Sequence, residues 1–465
     1  MAGNRAYRHP AVLFALSLLV FACSGEEAAP LVSAKSASPR PWTIQHGTAV
    51  EDGISDIVIH PDGMIVATGS TYGGLDGHQN VDPTGATSDL FVIAYDAFGA
   101  RLWTRQIGSE YEDAGSDIAV DNNGNIYVIG PTYGALDGNS NSDPCGPGLT
   151  SDIFVVKFSA AGAQLWIRQF GSSGKDWAKG IAADPDGHLY VTGLTLDSIN
   201  GSPNAGGNDL FAAAYDGDGN LLWLRQLGTP FNDNAAGIVA ANGVMTVVGT
   251  TFGDLSGETN HGNADLFLVQ FDAEGNRLQT VLYGTGYFDF GVGIATDDSG
   301  ALYVAGSTQG GLDGYENADP RGPGWTFDLF VIKFTAEGTR QWTRQLGSAF
   351  ADFGVSVAVH PSGNVYVTGS TQGGLDGYEN ADPRGPGWTS DLFVIRFSAD
   401  GTRQWTRQLG TAFTDLGLGA GVDDTGAVYA AGETCGDLDG NNNADPSNTS
   451  ADLIIVKYDA EGKKQ

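Results

Sequence analysis

Leu102-Trp103-Thr104-Arg105-Gln106-Ile107-Gly108 opens a unit that recurs along the chain. After it come Asp113, the apolar run Asp117-Ile118-Ala119-Val120, a turn at Asn122-Asn123-Gly124, and Ile126-Tyr127-Val128-Ile129-Gly130. A long Gly/Asp/Asn loop follows, and Asp152-Ile153-Phe154-Val155-Val156-Lys157-Phe158 closes the unit. The Trp position falls at Trp42, Trp103, Trp166, Trp223, Gln279, Trp342 and Trp405, spaced by 56 to 63 residues. Residues 42–465 are spent on these seven copies.

Each copy reads as four short strands rich in Val, Ile, Phe, Tyr and Trp and bounded by Gly/Asp/Asn turns. In the first copy they are residues 54–60, 64–70, 89–95 and 101–107, with tight turns at Pro61-Asp62-Gly63 and Ala97-Phe98-Gly99. The strands lack polar alternation, as expected of sheets covered on both faces. Seven four-stranded units of this kind predict an all-β, seven-bladed β-propeller. The last copy stops at Tyr458 and Gly462, short of its Trp strand, while Pro41-Trp42-Thr43-Ile44 is a spare one at the start. The N-terminal strand is therefore expected to complete the final blade.

Units such as Ser151-Asp152-Ile153-Phe154-Val155-Val156-Lys157-Phe158 and Gly130-Pro131-Thr132 resemble the SBBP class of β-propeller repeats, found in bacterial exported proteins. The resemblance covers the chain from Trp42 onward. It implies the fold but no shared catalytic set. The run Tyr95-Asp96-Ala97-Phe98-Gly99-Ala100-Arg101-Leu102-Trp103 is similar to the docking motif of quinoprotein-like propellers, whose Trp locks adjacent blades together.

Upstream, Arg5, Arg8 and His9 precede an apolar run of twelve at 11–22, too short for a stable membrane span but suited to a signal peptide. Val20-Phe21-Ala22-Cys23-Ser24-Gly25 resembles the lipobox of bacterial lipoproteins. By that resemblance residues 1–22 are a lipoprotein signal peptide and Cys23 is lipidated. Residues 23–41 then tether the propeller of residues 42–465 to the envelope, the outer membrane being expected. The Ser/Ala/Pro-rich stretch 24–41 reads as a flexible leash reaching up to ~60 Å. Of the remaining cysteines, Cys145 and Cys435 lie in non-corresponding places of non-neighbouring repeats and read as incidental.

The chain has 55 acidic against 23 basic residues, net charge −32, which disfavours nucleic acid and anionic lipid headgroups. The two linkers expected on one face of the propeller carry most of the candidate residues, since long loops on a rigid scaffold are where binding concentrates. One Asp stands ten residues after every Trp position: Asp52, Asp113, Asp176, Asp233, Asp289, Asp352 and Asp415. Its expected task is hydrogen bonding to backbone N–H groups of the crossing loop; a ring of carboxylates at the channel mouth is the functional reading.

Five long loops carry Leu-Asp-Gly-x-x-Asn-x-Asp: Asp76, Asn80 and Asp82; Asp137, Asn141 and Asp143; Asp313, Asn317 and Asp319; Asp376, Asn380 and Asp382; Asp439, Asn443 and Asp445. Alternating Asp and Asn around a Gly turn offer the oxygen ligands Ca²⁺ prefers, against the alternative of a loop satisfying its own backbone. Arg321 with Trp325, and Arg384 with Trp388, add a stacking surface for a sugar or peptide side chain. No catalytic constellation stands out. The expected function is a non-catalytic binding, adhesion or scaffold module with a protein or polysaccharide ligand. The alternative is an exported polysaccharide lyase or hydrolase, or a quinoprotein-like dehydrogenase, working at the channel mouth.

Overall fold

The computed structural model describes residues 42–142, 148–382, 384–447 and 449–465. These form seven sheets, each of four antiparallel strands. In the first blade the strands are Asp52–Ile59, Ile65–Thr71, Asp89–Tyr95 and Arg101–Ile107, ordered from axis to rim as in sequence. The first strand begins two residues earlier than expected, because the repeated Asp belongs to it and pairs with Thr71 at the end of the second strand.

The innermost strands Asp52–Ile59, Asp117–Val120, Asp176–Ala183, Asp233–Ala241, Asp289–Thr296, Asp352–Val359 and Asp415–Val422 touch in succession, and the last touches the first. The ring is closed around a central channel. Thr43–His46 supplies the rim strand of the seventh blade, with Thr43 opposite Val456 and His46 opposite Leu453. Closing the ring turns the inner edge of every sheet toward the channel, where it is short and protected.

The core lies between blades rather than within them. Val66, Val92 and Leu90 of blade 1, for example, pack with Ile126, Val128 and Phe154 of blade 2, all fully buried. Both faces of the middle strands are covered, which is why Asp89–Tyr95 and Asp209–Tyr215 are buried at every position. Six of the seven innermost strands also contain a β-bulge at the same place, between Ile54 and Asp56 in blade 1 and between Ala178 and Gly180 in blade 3. Each bulge leaves one residue unpaired, a common way to re-aim a side chain, and in blades 1 and 3 that residue, Ser55 and Lys179, faces the channel mouth.

At the rim, the Trp-Thr-Arg-Gln-x-Gly run divides its labour residue by residue. Trp103 Nε1 donates to the Ala160 carbonyl (3.0 Å) and Arg105 Nε to the Gly162 carbonyl (2.6 Å), both in the outer hairpin turn of the next blade. The guanidinium also covers the indole, 5.5 Å from its centroid. The same pair of bonds recurs from Trp166/Arg168, Trp223/Arg225, Trp342/Arg344 and Trp405/Arg407. The blade-locking role implied for this Trp is thus visible as geometry. Gln106 turns the other way, accepting from Leu75 N (3.1 Å) and donating to Asp89 (2.9 Å), so it ties the long loop to the third strand. Gly108 ends the run because a Cβ there would stand 1.9 Å from Asp89 Oδ1.

Blade 4 has Gln279 and Val281 where five blades have Trp and Arg, and blade 7 keeps Trp42 but has Ile44 at the Arg position. Gln270 from its third strand takes over, donating to the Ala336 carbonyl of blade 5 (2.8 Å) and accepting from Gln279 (2.6 Å). A cavity of about 50 Å³ remains at this seam. Restoring the repeat with Gln279→Trp and Val281→Arg, together with Gln270→Ala as in blades 1 and 3, should fill the seam. The expected gain is about 0.5–2 kcal/mol, read as a higher thermal midpoint; a lower midpoint would mean the Gln pair is the better lock.

Candidate functional site: the long-loop face and channel mouth

The seven repeated aspartates are all buried at the mouth end of the innermost strands. Asp233 Oδ2 accepts from Thr229 N (2.6 Å) and Thr229 Oγ1 (2.8 Å), and Oδ1 from Thr251 Oγ1 (2.5 Å). The backbone and hydroxyl of the corresponding Ser or Thr serve Asp52, Asp113, Asp176, Asp289, Asp352 and Asp415 in the same way. These carboxylates hold the crossing between blades and do not project into the channel as a charged ring. Burial pushes them up, to about 6 at Asp52, Asp113 and Asp176 and about 7 at Asp352 and Asp415, against the pull of these donors; Asp233 and Asp289 move the same way for the same reason.

A second set of buried aspartates, which sequence reading took only as strand beginnings, stands beside the first: Asp89, Asp152, Asp209, Asp265, Asp328, Asp391 and Asp452. Asp209, for instance, accepts from Ala205 N (2.8 Å) and Gln226 Nε2 (3.0 Å). Their regular spacing from the Trp-Thr-Arg-Gln run was the available signal.

The loop residues named for calcium do not converge. Asp76, Asp313 and Asp376 adopt left-handed backbone (φ 55°, 51° and 52°) and pair with Arg101, Arg340 and Arg403 of their own rim strands. Asp137 takes Gln164 (2.9 Å), and Asp439 takes Lys464 and Thr43 (2.6 Å). The asparagines point inward: Asn80, Asn317, Asn380 and Asn443 each donate to a carbonyl across their own loop (2.8–3.2 Å), and Asn141 does so to Gly134 (3.4 Å). Asp82 and Asp445 accept from backbone and hydroxyls two to four residues on. Asp143 lies outside the described residues, as do Cys23 and Cys145. Among the described residues no three His, Cys, Asp or Glu side chains gather to hold a metal ion.

Asp319 and Asp382 instead join the second predicted surface. Asp319 grips Arg321 (2.7 Å) and Asp382 grips Arg384 (2.9 Å). The two guanidinium groups lie 5.1 Å and 5.5 Å above the rings of Trp325 and Trp388, which are 64% and 69% exposed. The arginines are neutralised in place, so this edge presents indole rather than charge. Cys435 corrects one expectation: it is disulfide-bonded rather than incidental.

The mouth of the channel is where the sevenfold pattern breaks. A cavity of about 810 Å³ opens there across blades 1 to 5. The residue just before each repeated Asp runs Glu51, Glu112, Lys175, Asn232, Phe288, Ala351, Thr414, and the residue just after runs Gly53, Ala114, Trp177, Asn234, Phe290, Phe353, Leu416. Tyr72, Tyr133, Trp177, Phe252, Phe288 and Phe290 form the aromatic part of the wall, with Asn208, Asn232, Asn234 and Asn263 between them. Phe252, Phe288 and Phe290 touch ring to ring at 6.3 Å and 5.9 Å. Deeper in, Asp56 and Asp117 are hydrogen-bonded to each other, and burial raises both. On the far rim, burial and the charge of Glu51 push Glu433 up to about 8.

The fold defines a seven-bladed β-propeller of four-stranded blades. Its sequence carries SBBP β-propeller repeats, matched at residues 102–136, 165–199 and 341–376. Each matched stretch runs from one blade's rim strand into the first two strands of the next, so the sequence repeat and the blade are out of phase by one strand. The chain is 24% identical over 77% of its length to an uncharacterized WD repeat-containing protein of Acanthamoeba polyphaga mimivirus. It is 27% identical over 51% of its length to the regulatory protein FlaEY of Caulobacter vibrioides. It spans 27% and 26% of those two relatives. The WD40 domain of Neurospora crassa Pan2 aligns with 90% of this chain and 96% of its own, at 11% identity and a TM-score of 0.46.

The buried aspartates set a pH dependence. Their carboxyls are raised in the folded chain, so between about pH 4 and pH 7 the folded state binds more protons than the unfolded one. That stabilisation is whole below the unfolded value and is lost as pH rises through 6 to 7. Thermal midpoints should therefore fall steadily from about pH 5 to pH 8; a flat or rising profile would contradict it. The same melts with EDTA and then Ca²⁺ should superimpose.

Proposed function

We propose that this chain is a non-catalytic binding module of the bacterial envelope, held by lipid on Cys23, that takes its ligand in the mouth of the channel on the long-loop face. The observation that carries this reading is the breaking of sevenfold symmetry there: every blade keeps the same buried Asp, yet the residues on either side of it change from blade to blade and turn aromatic or amide around one cavity. Scaffold positions repeat because each blade needs them, whereas recognition needs unlike groups facing one ligand. A cavity of this size, walled by aromatics with a few polar groups, has the character of a ligand site. The relatives' names, a WD repeat protein and a regulatory protein, are in keeping with a docking role.

One observation speaks to the enzymatic alternative, the carboxyl pair Asp56–Asp117. A glycosidase separates its two carboxyls by about 5–9 Å so that the scissile bond fits between them. Here the two bond directly, and Asp117 also accepts from Ile181 N (2.7 Å) and Ile118 N (2.8 Å). The pair braces the channel, and a binding role follows better than hydrolysis.

Full-length chain carrying Cys23→Ser, to keep it in solution, should co-sediment with polysaccharide-rich envelope material. Adding Trp177→Ala and Phe288→Ala should reduce that binding at least about tenfold, in line with the loss of two stacking anchors, while the thermal midpoint stays close. Unchanged co-sedimentation would place the ligand elsewhere. Wild-type chain should incorporate labelled palmitate and the Cys23→Ser chain should not.

A further inference from the structure

Lys175 and Lys179 stand on the same innermost strand region of blade 3, in a molecule of net charge −32. Lys175 sits at the rim, 5.9 Å from the ring centroids of both Tyr133 and Trp177. Lys179 occupies the bulge position between Ala178 and Gly180, which turns it onto the cavity wall, and burial lowers the proton affinity of its amine. Among the described residues neither amine has an ion-pair or hydrogen-bond partner.

The carboxyls that line the cavity, and the pair beneath them, are already engaged. Glu112 accepts from Ser88 N (3.0 Å) and Ser88 Oγ (2.7 Å), Asp113 from Ser109, and Asp56 and Asp117 bond to each other. Two uncompensated cations in an acidic protein, beside an indole, call for an anion that also offers a ring to stack on. Hydrogen-bond donors complete the set. Asn208 holds the side-chain oxygens of Asn232 (3.0 Å) and Asn234 (2.9 Å), which leaves both amide nitrogens without a protein partner among the described residues.

Resting on the reading of the mouth as the binding site, we propose that its ligand is an acidic oligosaccharide, carboxylated on the sugar ring. A pyranose stacks on Trp177, its carboxylates meet Lys175 and Lys179, and its hydroxyls accept from the amides of Asn232 and Asn234. Lys175 stands just before the strand and Lys179 in its bulge, with three residues between them, and the four steps span at most about 13 Å, which suits successive sugars rather than a single one.

The test is calorimetric titration of the Cys23→Ser chain with tetragalacturonate, and with cellotetraose as the neutral counterpart. The expected result is binding of tetragalacturonate that weakens with added NaCl, and that falls about 10- to 100-fold in Lys179→Met and in Lys175→Met, the loss for one charge-assisted bond. Thermal midpoints of both variants serve as the folding control. Tetragalacturonate binding that the lysine variants leave unchanged would overturn the proposal. So would cellotetraose binding as tightly as the acidic sugar and losing affinity only in Trp177→Ala; that result would leave the mouth itself standing as a site. Binding of neither sugar also overturns the acidic assignment, and the co-sedimentation experiment then decides the mouth separately.

Discussion

One reach across a gap, made at five of the seven seams, sets the blades against one another: an indole N–H and a guanidinium from the rim of one blade grasping the outer turn of the next. A four-stranded sheet with apolar faces cannot stand alone in water, and its core is shared with its neighbours on both sides. Dispersion and burial press the blades together without fixing how they slide. The Trp and Arg bonds to Ala160 and Gly162, and their counterparts, fix that register at the rim, where burial is weakest. The turn must be small at that point, and Gly162 lies so close to the Trp103 ring that a Cβ would come within 2.7 Å of it. The seam at Gln279 shows what the bond supplies, since a second glutamine has to reach over to replace it and a small void remains.

Much of the acidity goes into the scaffold itself. Two buried aspartates per blade, one opening the innermost strand and one opening the third, stitch the crossings on the long-loop face. They stand on either side of the same glycine: at Gly47 a Cβ would lie 2.2 Å from Asp452 Oδ1 and 3.1 Å from Asp52 Oδ2. Each of these carboxyls accepts bonds from backbone, hydroxyl or amide donors through at least one oxygen, which offsets part of its desolvation, while Oδ1 of Asp89, Asp209, Asp265, Asp328, Asp391 and Asp452 is buried without a hydrogen bond. Loop aspartates are likewise consumed locally, by arginines of the rim or by their own turns.

The architecture was legible because it repeats. Seven appearances of one set of landmarks expose strand number, blade number and the N-terminal clasp, and the structure follows them to within two residues in the first blade. What could not be read was direction. Asp76, Asn80 and Asp82 alternate as calcium ligands would, but a left-handed Asp76 and an inward Asn80 send the oxygens apart, and spacing alone does not encode that. The lining of the mouth escaped notice for the opposite reason. Lys175, Asn232 and Phe288 occupy one repeat position and share no chemistry, so they look like noise until the fold gathers them around one cavity. In a repeat protein the conspicuous residues build the frame, and the inconspicuous ones carry the difference between frames.

The clasp of Thr43–His46 on Asp452–Tyr458 joins segments separated by roughly four hundred residues. Until the last of those residues has been synthesised, the first strand has no partner and the ring cannot shut. Six blades can stack progressively from neighbour contacts, but the seventh is assembled only from the two extremes of the propeller. Loop-closure entropy for such a contact grows slowly with length, so the ring loses little stability by closing late. Its burden is time: an arc whose end blades still bare the apolar faces that meet on closure must survive, exposed to other chains, until it becomes a circle.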